Sequence, residues 1–86
     1  MGKAIAIYSL HGLTPAEKLK FLHQLYGYTD RSNSGKYIYR REGILKEGEY
    51  ERPIRGVVIF NDNKIKQVEK FMQLYGIEFS IYRIKD

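Results

Sequence analysis

Arginine is concentrated in the middle of this 86-residue chain. Five of its six arginines lie within residues 31–55, at Arg31, Arg40, Arg41, Arg52 and Arg55. That segment holds 7 basic and 4 acidic residues, so it supplies most of the net charge of +5. A guanidinium presents a planar fork of donors that matches a phosphate, whereas an ammonium is a hydrated point charge. The pattern favours a polyanionic partner, although Arg and Glu mixed on one strand are also typical of ion-pair ladders in thermophile-like proteins.

Tyrosines interleave with these cations. Lys36–Arg41 reads KYIYRR, so Tyr37 and Tyr39 share one side of an extended chain with Arg41. Aromatic rings and guanidinium planes stack on unpaired bases, and Arg or Lys contacts the phosphates between them. The composition predicts a surface for RNA or single-stranded DNA, and it also suits a protein interface, where tyrosine is enriched.

The weak catalytic candidates are Ser9 and His11, between a strand-like run and the start of a helix. His11 could serve as general acid or base on a phosphodiester, as in a small metal-independent ribonuclease. A lone histidine in a turn is more often a surface or capping residue, so this hypothesis ranks third. The chain has no cysteine, and its carboxylates and two histidines lack ligand spacing. We therefore expect neither a metal site nor a cofactor.

Two helices are well signalled by capping patterns. Thr14, Pro15 and Glu17 form a capping-box start, and Gly27 is placed to end the first helix in a left-handed conformation. A second apolar helical face covers 64–75 and ends at Gly76. Both helices finish on the sequence QLYG. Strand-like runs occupy Lys3–Leu10, Lys36–Arg41, Ile54–Phe60 and Glu78–Ile84.

The resulting order is β-α-β-β-α-β in two similar halves. We therefore predict a single α+β domain over residues 1–86, a ferredoxin-like two-layer sandwich with an antiparallel sheet ordered 4132. Both helices should cover one face of that sheet. A Greek-key barrel is the alternative, and two capped helices argue against it.

Two segments have no counterpart in the repeat. Residues 28–35 read as a polar surface loop, and residues 42–53 as a projecting hairpin that reverses near 46–49. Gly43 and Pro53 should mark bulges or breaks in strand pairing. The arginine surplus falls around these two segments.

Alternation along the strands predicts which side chains remain on the open face of the sheet. Ile5, Ile7 and Ile38 should face the helices. Either Val58 and Phe60 or their neighbours should do so in the third strand. The open face is then expected to carry Tyr8, Tyr37, Tyr39 and Tyr82, with Arg41 and Arg55 at its edge.

These observations predict a nucleic-acid-binding domain that uses a Tyr/Arg sheet face and a basic hairpin. The proposed contacts are Tyr8, Arg31, Lys36, Tyr37, Tyr39, Arg40, Arg41, Arg52, Arg55 and Tyr82. The alternative is a homo-oligomeric structural or regulatory module, and a homodimer is compatible with both. The longest apolar run is Ala4–Tyr8 and no signal-peptide pattern is visible, so we expect a cytoplasmic protein without a membrane partner.

Overall fold

The structure is a computed structural model that describes residues 2–32, 35 and 37–84. It is an α+β arrangement in which four strands form an antiparallel sheet ordered β4-β5-β1-β6, and β2 pairs with β3 in a separate hairpin. The elements are β1 (Lys3–Ser9), α1 (Pro15–Tyr26), β2 (Tyr28–Ser32), β3 (Tyr37–Arg41), β4 (Tyr50–Ile54), β5 (Val57–Asn61), a 3-10 turn (Asp62–Lys64), α2 (Ile65–Tyr75) and β6 (Glu78–Ile84).

Helix α1 begins as its sequence predicts. The Glu17 backbone N–H donates to Thr14 Oγ1 at 3.2 Å, and the Thr14 N–H donates to Glu17 Oε1 at 2.8 Å. The second bond holds the pKa of the Glu17 carboxyl below its usual value. Together they satisfy two donors that a helix start leaves unpaired. Helix α2 ends at Gly76, whose left-handed conformation (φ 69°, ψ 24°) matches its expected capping role.

Both helices cover the same face of the main sheet, because they contribute to one buried cluster. The ring of Phe21 lies 5.4 Å from that of Tyr8 in β1 and 5.0 Å from that of Phe71 in α2. Leu19 of α1 lies outside this cluster and is 55% exposed. The largest fully buried side chains are Phe21, Leu25, Leu45, Val58, Phe60, Val68 and Met72.

In strand β1, the side chains that face the helices are those predicted to face away from them. Ala4 and Ala6 are fully buried and Tyr8 is 7% exposed, whereas Ile7 is 46% exposed. The prediction of Ile5 and Ile7 inside and Tyr8 outside is therefore wrong. Large side chains from both helices and from β5 fill the space above this central strand, so alanine methyl groups fit beneath them and isoleucines do not.

Strand β5 resolves the alternative that the sequence left open. Val58 and Phe60 are buried, and Val57 and Ile59 lie on the opposite face. Its edge neighbour β4 shifts register between Glu51 and Ile54, so the irregularity predicted at Pro53 is confirmed. An edge strand tolerates a residue that cannot donate to the ladder.

The middle of the chain pairs differently from the prediction. The run at 37–41 is a strand, but it pairs with residues 28–32, which were expected to be a loop. The place predicted for it in the main sheet is taken by β4. The hairpin outside the main sheet is therefore formed by the strands at 28–32 and 37–41, and not by 42–53. Strand propensity identified the strand but carried no information about its partner.

Two buried hydroxyls link the central strand to the end of α1. Tyr8 Oη and Tyr26 Oη lie 2.7 Å apart, and the buried position of the Tyr26 hydroxyl raises its pKa. Neither ring could be buried so deeply with its hydroxyl unpaired, because an unsatisfied buried polar group is costly.

We predict that Tyr8→Phe lowers the free energy of unfolding by about 1–2 kcal/mol, because it leaves the Tyr26 hydroxyl without this partner. Urea titration measures the change. Tyr82→Phe is the matched control, since Tyr82 is 57% exposed. Its effect should stay within about 0.5 kcal/mol. An equal loss in both variants would contradict the role given to this bond.

Candidate nucleic-acid interface

The hairpin of β2 and β3, here called the arm, is fixed at its base by the end of α1. A helix leaves its last four carbonyls without intrahelical donors. Here every one of them has a donor from the chain that follows. The bonds run from Gly27 N to His23 O (2.8 Å), Ile44 N to Gln24 O (3.0 Å), Leu45 N to Leu25 O (2.9 Å) and Arg40 Nη2 to Tyr26 O (2.9 Å).

Two glycines permit this close approach of the chain to the helix end. Gly27 has φ 80° and ψ −179°, an extended conformation at positive φ that is essentially restricted to glycine. The left-handed cap predicted there is thus only half right, since φ is positive but ψ is extended. A Cβ on Gly27 would overlap the Arg41 carbonyl oxygen, and a Cβ on Gly43 would overlap Gly27 N. At Gly43 the chain crosses the end of α1 in direct contact with Gly27, and we call this contact the crossing. A bulge or a break in strand pairing was predicted at Gly43.

One face of the arm carries an exposed row of rings and cations. Tyr39 pairs with Asp30 and Arg41 with Tyr28, so alternation places them on the same face as Tyr37. The rings of Tyr37 and Tyr39 are 6.5 Å apart and within 23° of parallel. Arg41 Cζ lies 5.9 Å from the centre of the Tyr39 ring. We call Tyr37, Tyr39 and Arg41 the arm row.

The arm row is accessible to solvent. Tyr37 is 46% exposed and Tyr39 is 50% exposed. Arg41 Nη2 lies 3.4 Å from Asp30 Oδ2, and both side chains are solvent-exposed, so the pair is weak. The Arg41 guanidinium can therefore exchange this carboxylate for another anion.

At its base the arm contacts a histidine of α1. The ring of His23 stacks on Tyr28 at 4.2 Å between centroids and 17° between planes. Tyr28 follows the helix-ending Gly27 and begins the alternation of β2. Residues 28–32 read YTDRS, in which only Tyr28 and Thr29 favour a strand, so this polar composition gives little indication of β2.

The opposite face of the arm does not repeat this arrangement. It carries Thr29, Arg31, Ile38 and Arg40. Ile38, predicted to be buried, is 60% exposed. Arg40 Nη2 donates to the Tyr26 carbonyl, and Arg40 Nε lies 3.5 Å from Glu47 Oε2. The Arg40 guanidinium therefore helps to hold the arm to the end of α1.

The remaining predicted cations are dispersed. Arg52 Cζ sits 4.1 Å above the centre of the Tyr26 ring, which engages it with the core. Arg55 is exposed, next to Gly56 in the turn that joins β4 to β5. Arg31 is exposed on β2. Lys36 lies outside the described residues.

The structure does not bring the four predicted tyrosines to one surface. Tyr8 is buried beneath the helices, and Tyr82 lies in the main sheet, opposite Ile5 on β1. Tyr37 and Tyr39 belong to the separate hairpin. The expected Tyr/Arg face of the main sheet is therefore wrong, and the ring-and-cation pattern survives on the arm alone.

Ser9 and His11 lie at a different place, in a cleft of about 520 Å³ with Tyr75 and Glu78 among its lining residues. The His11 backbone N–H donates to Ser9 Oγ at 3.2 Å. Among the described residues, no carboxylate forms an ion pair with the His11 imidazole, and no three His, Asp or Glu side chains group as metal ligands. The cleft thus lacks an oriented acid–base pair.

Comparison with protein-family models, with curated proteins and with solved structures finds no match to this chain. Over the described part of the chain, neither helix is long and apolar enough to cross a membrane.

We predict that Gly27→Ala lowers the free energy of unfolding by at least about 3 kcal/mol, because the added methyl group meets the Arg41 carbonyl at a glycine-only conformation. Gly48→Ala is the matched control. Its φ of 86° is also positive, but nothing lies within 4 Å of an added Cβ. That variant should lose only about 1–2 kcal/mol. Urea unfolding measures both, and similar losses would show that the crossing does not constrain the fold.

Proposed function

We propose that this protein binds single-stranded nucleic acid, RNA or DNA, through the arm. The observation that carries the proposal is the arm row, in which two exposed and nearly parallel tyrosine rings lie beside a guanidinium. Tyr37 and Tyr39 stack on bases, and Arg41 contacts a phosphate.

Stacking on two adjacent rings suits a flexible strand better than a duplex, whose bases are already stacked on one another. Base–aromatic stacking contributes about 1–3 kcal/mol for each base and tolerates any sequence. Because both rings are about half exposed in the free protein, their faces are available without rearrangement of the core.

The charge of the arm supports the same partner. Segment 28–41 contains four basic residues and one carboxylate. Arg41 is the described guanidinium best placed for a phosphate beside the rings, because Arg31 is exposed on the opposite face of the arm and Arg40 is held by the helix end. Two or three phosphate contacts on a single strand correspond to a salt slope of about −1.4 to −2 in log K against log salt.

We also propose that the fold is ferredoxin-like, with the arm inserted between α1 and the second strand of the sheet. If β4 is counted as strand 2, the observed order β4-β5-β1-β6 reads 2-3-1-4, which is 4132 in reverse. Packing of both helices on one face supports this assignment. In such an arrangement the arm is an addition to the superfold, and a function located on it is particular to this chain.

Replacing both rings tests the proposal directly. We predict that the double variant Tyr37→Ala/Tyr39→Ala loses at least about 10-fold in affinity for a labelled poly-U oligonucleotide at low salt, measured by fluorescence anisotropy. Tyr82→Ala is the matched control, because it removes an equally exposed tyrosine from the main sheet. Absence of binding by the native protein, or an equal loss in the control, would overturn the proposal.

The salt dependence tests the phosphate contact separately. Arg41→Gln should make the slope of log K against log salt less negative by about 0.7, because one phosphate contact is lost. Arg83→Gln is the control, since Arg83 is exposed but pairs with Asp62 at 3.0 Å outside the arm. An unchanged slope for Arg41→Gln would assign the phosphate contact to another cation.

The same poly-U titrations also test the ribonuclease hypothesis. We expect the RNA to remain intact during the titration, because no oriented base accompanies His11. Cleavage that disappears in His11→Ala would favour the hydrolytic function over simple binding.

A further inference from the structure

The face of the main sheet that turns away from the helices is aliphatic. Ile5 pairs with Ile59, and Ile7 pairs with Val57, so four β-branched side chains form its centre across β1 and β5. Of the four tyrosines predicted for the open face of the sheet, only Tyr82 lies on it. The surrounding positions on this face are Lys3, Ser9, Glu51, Ile54, Asn61, Glu78, Ser80, Tyr82 and Ile84.

Much of this surface is accessible to water. Ile54 is 67% exposed, Tyr82 57%, Ile7 46% and Ile84 38%. Such residues scattered singly would need no explanation, but here they are neighbours on one face. A contiguous apolar patch of this kind on a small protein is often an interaction site.

We propose that this face binds the same face of a second copy of the chain, sheet against sheet. Two aliphatic faces can pack at about 10 Å, as the two layers of a sandwich do. An apolar centre with a polar rim is the usual anatomy of a protein interface. Because the two contacting faces are identical, one patch is sufficient for a closed two-fold pair.

Charge identifies a second copy as a suitable occupant. The chain carries a net +5, which opposes self-association wherever the cations lie. The sheet face has one cation, Lys3, and two carboxylates, Glu51 and Glu78, so none of the positive excess of the chain lies on it. The arm, in contrast, holds four basic residues and one acidic residue. Two copies can therefore meet at this face while their basic arms remain directed elsewhere.

The size of the face sets the strength of the pair. Two strands of seven residues and two of five, about 4.8 Å apart, cover about 380 Å² in each copy, or about 760 Å² in both. Stable interfaces bury about 1,200–2,000 Å² in total. The dimer is therefore weak and forms at high protein concentration. It is independent of the proposed nucleic-acid contacts, because it uses another sheet.

Sedimentation velocity over a concentration range up to about 1 mM tests the proposal, since a weak pair has a dissociation constant in the upper micromolar range. The mass of the native protein should rise from 10.2 kDa toward twice that value. Ile7→Lys should remain at the monomer mass, because each pair would bury two ammonium groups in an apolar contact. Leu19→Lys is the matched control, since Leu19 is 55% exposed on α1, and it should associate as the native protein does.

Ile54→Lys provides a second variant, because this residue is the most exposed of the face and lies on an edge strand. Circular dichroism establishes that each variant is folded. A native protein that stays monomeric throughout the range overturns the proposal, and so does association that Ile7→Lys and Ile54→Lys leave unchanged. Folded monomeric Ile7→Lys should still bind poly-U with native affinity, so failure of the dimer and failure of nucleic-acid binding are separate outcomes.

Discussion

The end of helix α1 is the constraint on which the placement of the arm depends. Its four terminal carbonyls accept bonds from Gly27, Arg40, Ile44 and Leu45, all of which follow the helix in the chain. An isolated two-stranded hairpin is marginally stable in water. These bonds, and the glycine crossing beside them, attach the base of the arm to the core. The radius of gyration of 13.9 Å exceeds the roughly 12 Å of a compact 86-residue domain, as a projecting hairpin requires.

Anchoring divides the arginines of the middle segment into two groups. Arg40 and Arg52 are engaged by the fold, the first by a helix carbonyl and the second by a core tyrosine ring, although both are exposed to solvent. Arg31, Arg41 and Arg55 are exposed without either kind of contact to the core. Part of the charge surplus that suggests a polyanionic partner therefore stabilises the fold. The main sheet presents an aliphatic surface on the face that turns away from the helices.

Local signals in the sequence were sufficient for the helices and for the positions of most strands. Thr14 and Glu17 cap α1 through neighbours along the chain, which the sequence displays directly. The partner of a strand depends on distant residues, so the pairing of 37–41 with 28–32 was not predictable from propensity. The buried face of β1 was predicted wrongly because isoleucines are larger and more hydrophobic than alanines. In the structure the space beneath the two helices is tightly packed, so Ala4 and Ala6 fit there and the isoleucines do not. The arm row itself was predicted correctly as a group, since alternation within one strand is local.

The central claim is that nucleic acid contacts the arm and leaves the main sheet free. Amide and side-chain chemical shifts, followed by NMR while poly-U is added to the isotopically labelled protein, measure this directly. The account predicts that shifts change along 28–41, most strongly at Tyr37, Tyr39 and Arg41, and stay constant at Ile5, Ile7 and Ile59. Changes concentrated at the three isoleucines, with the arm unaffected, would contradict it.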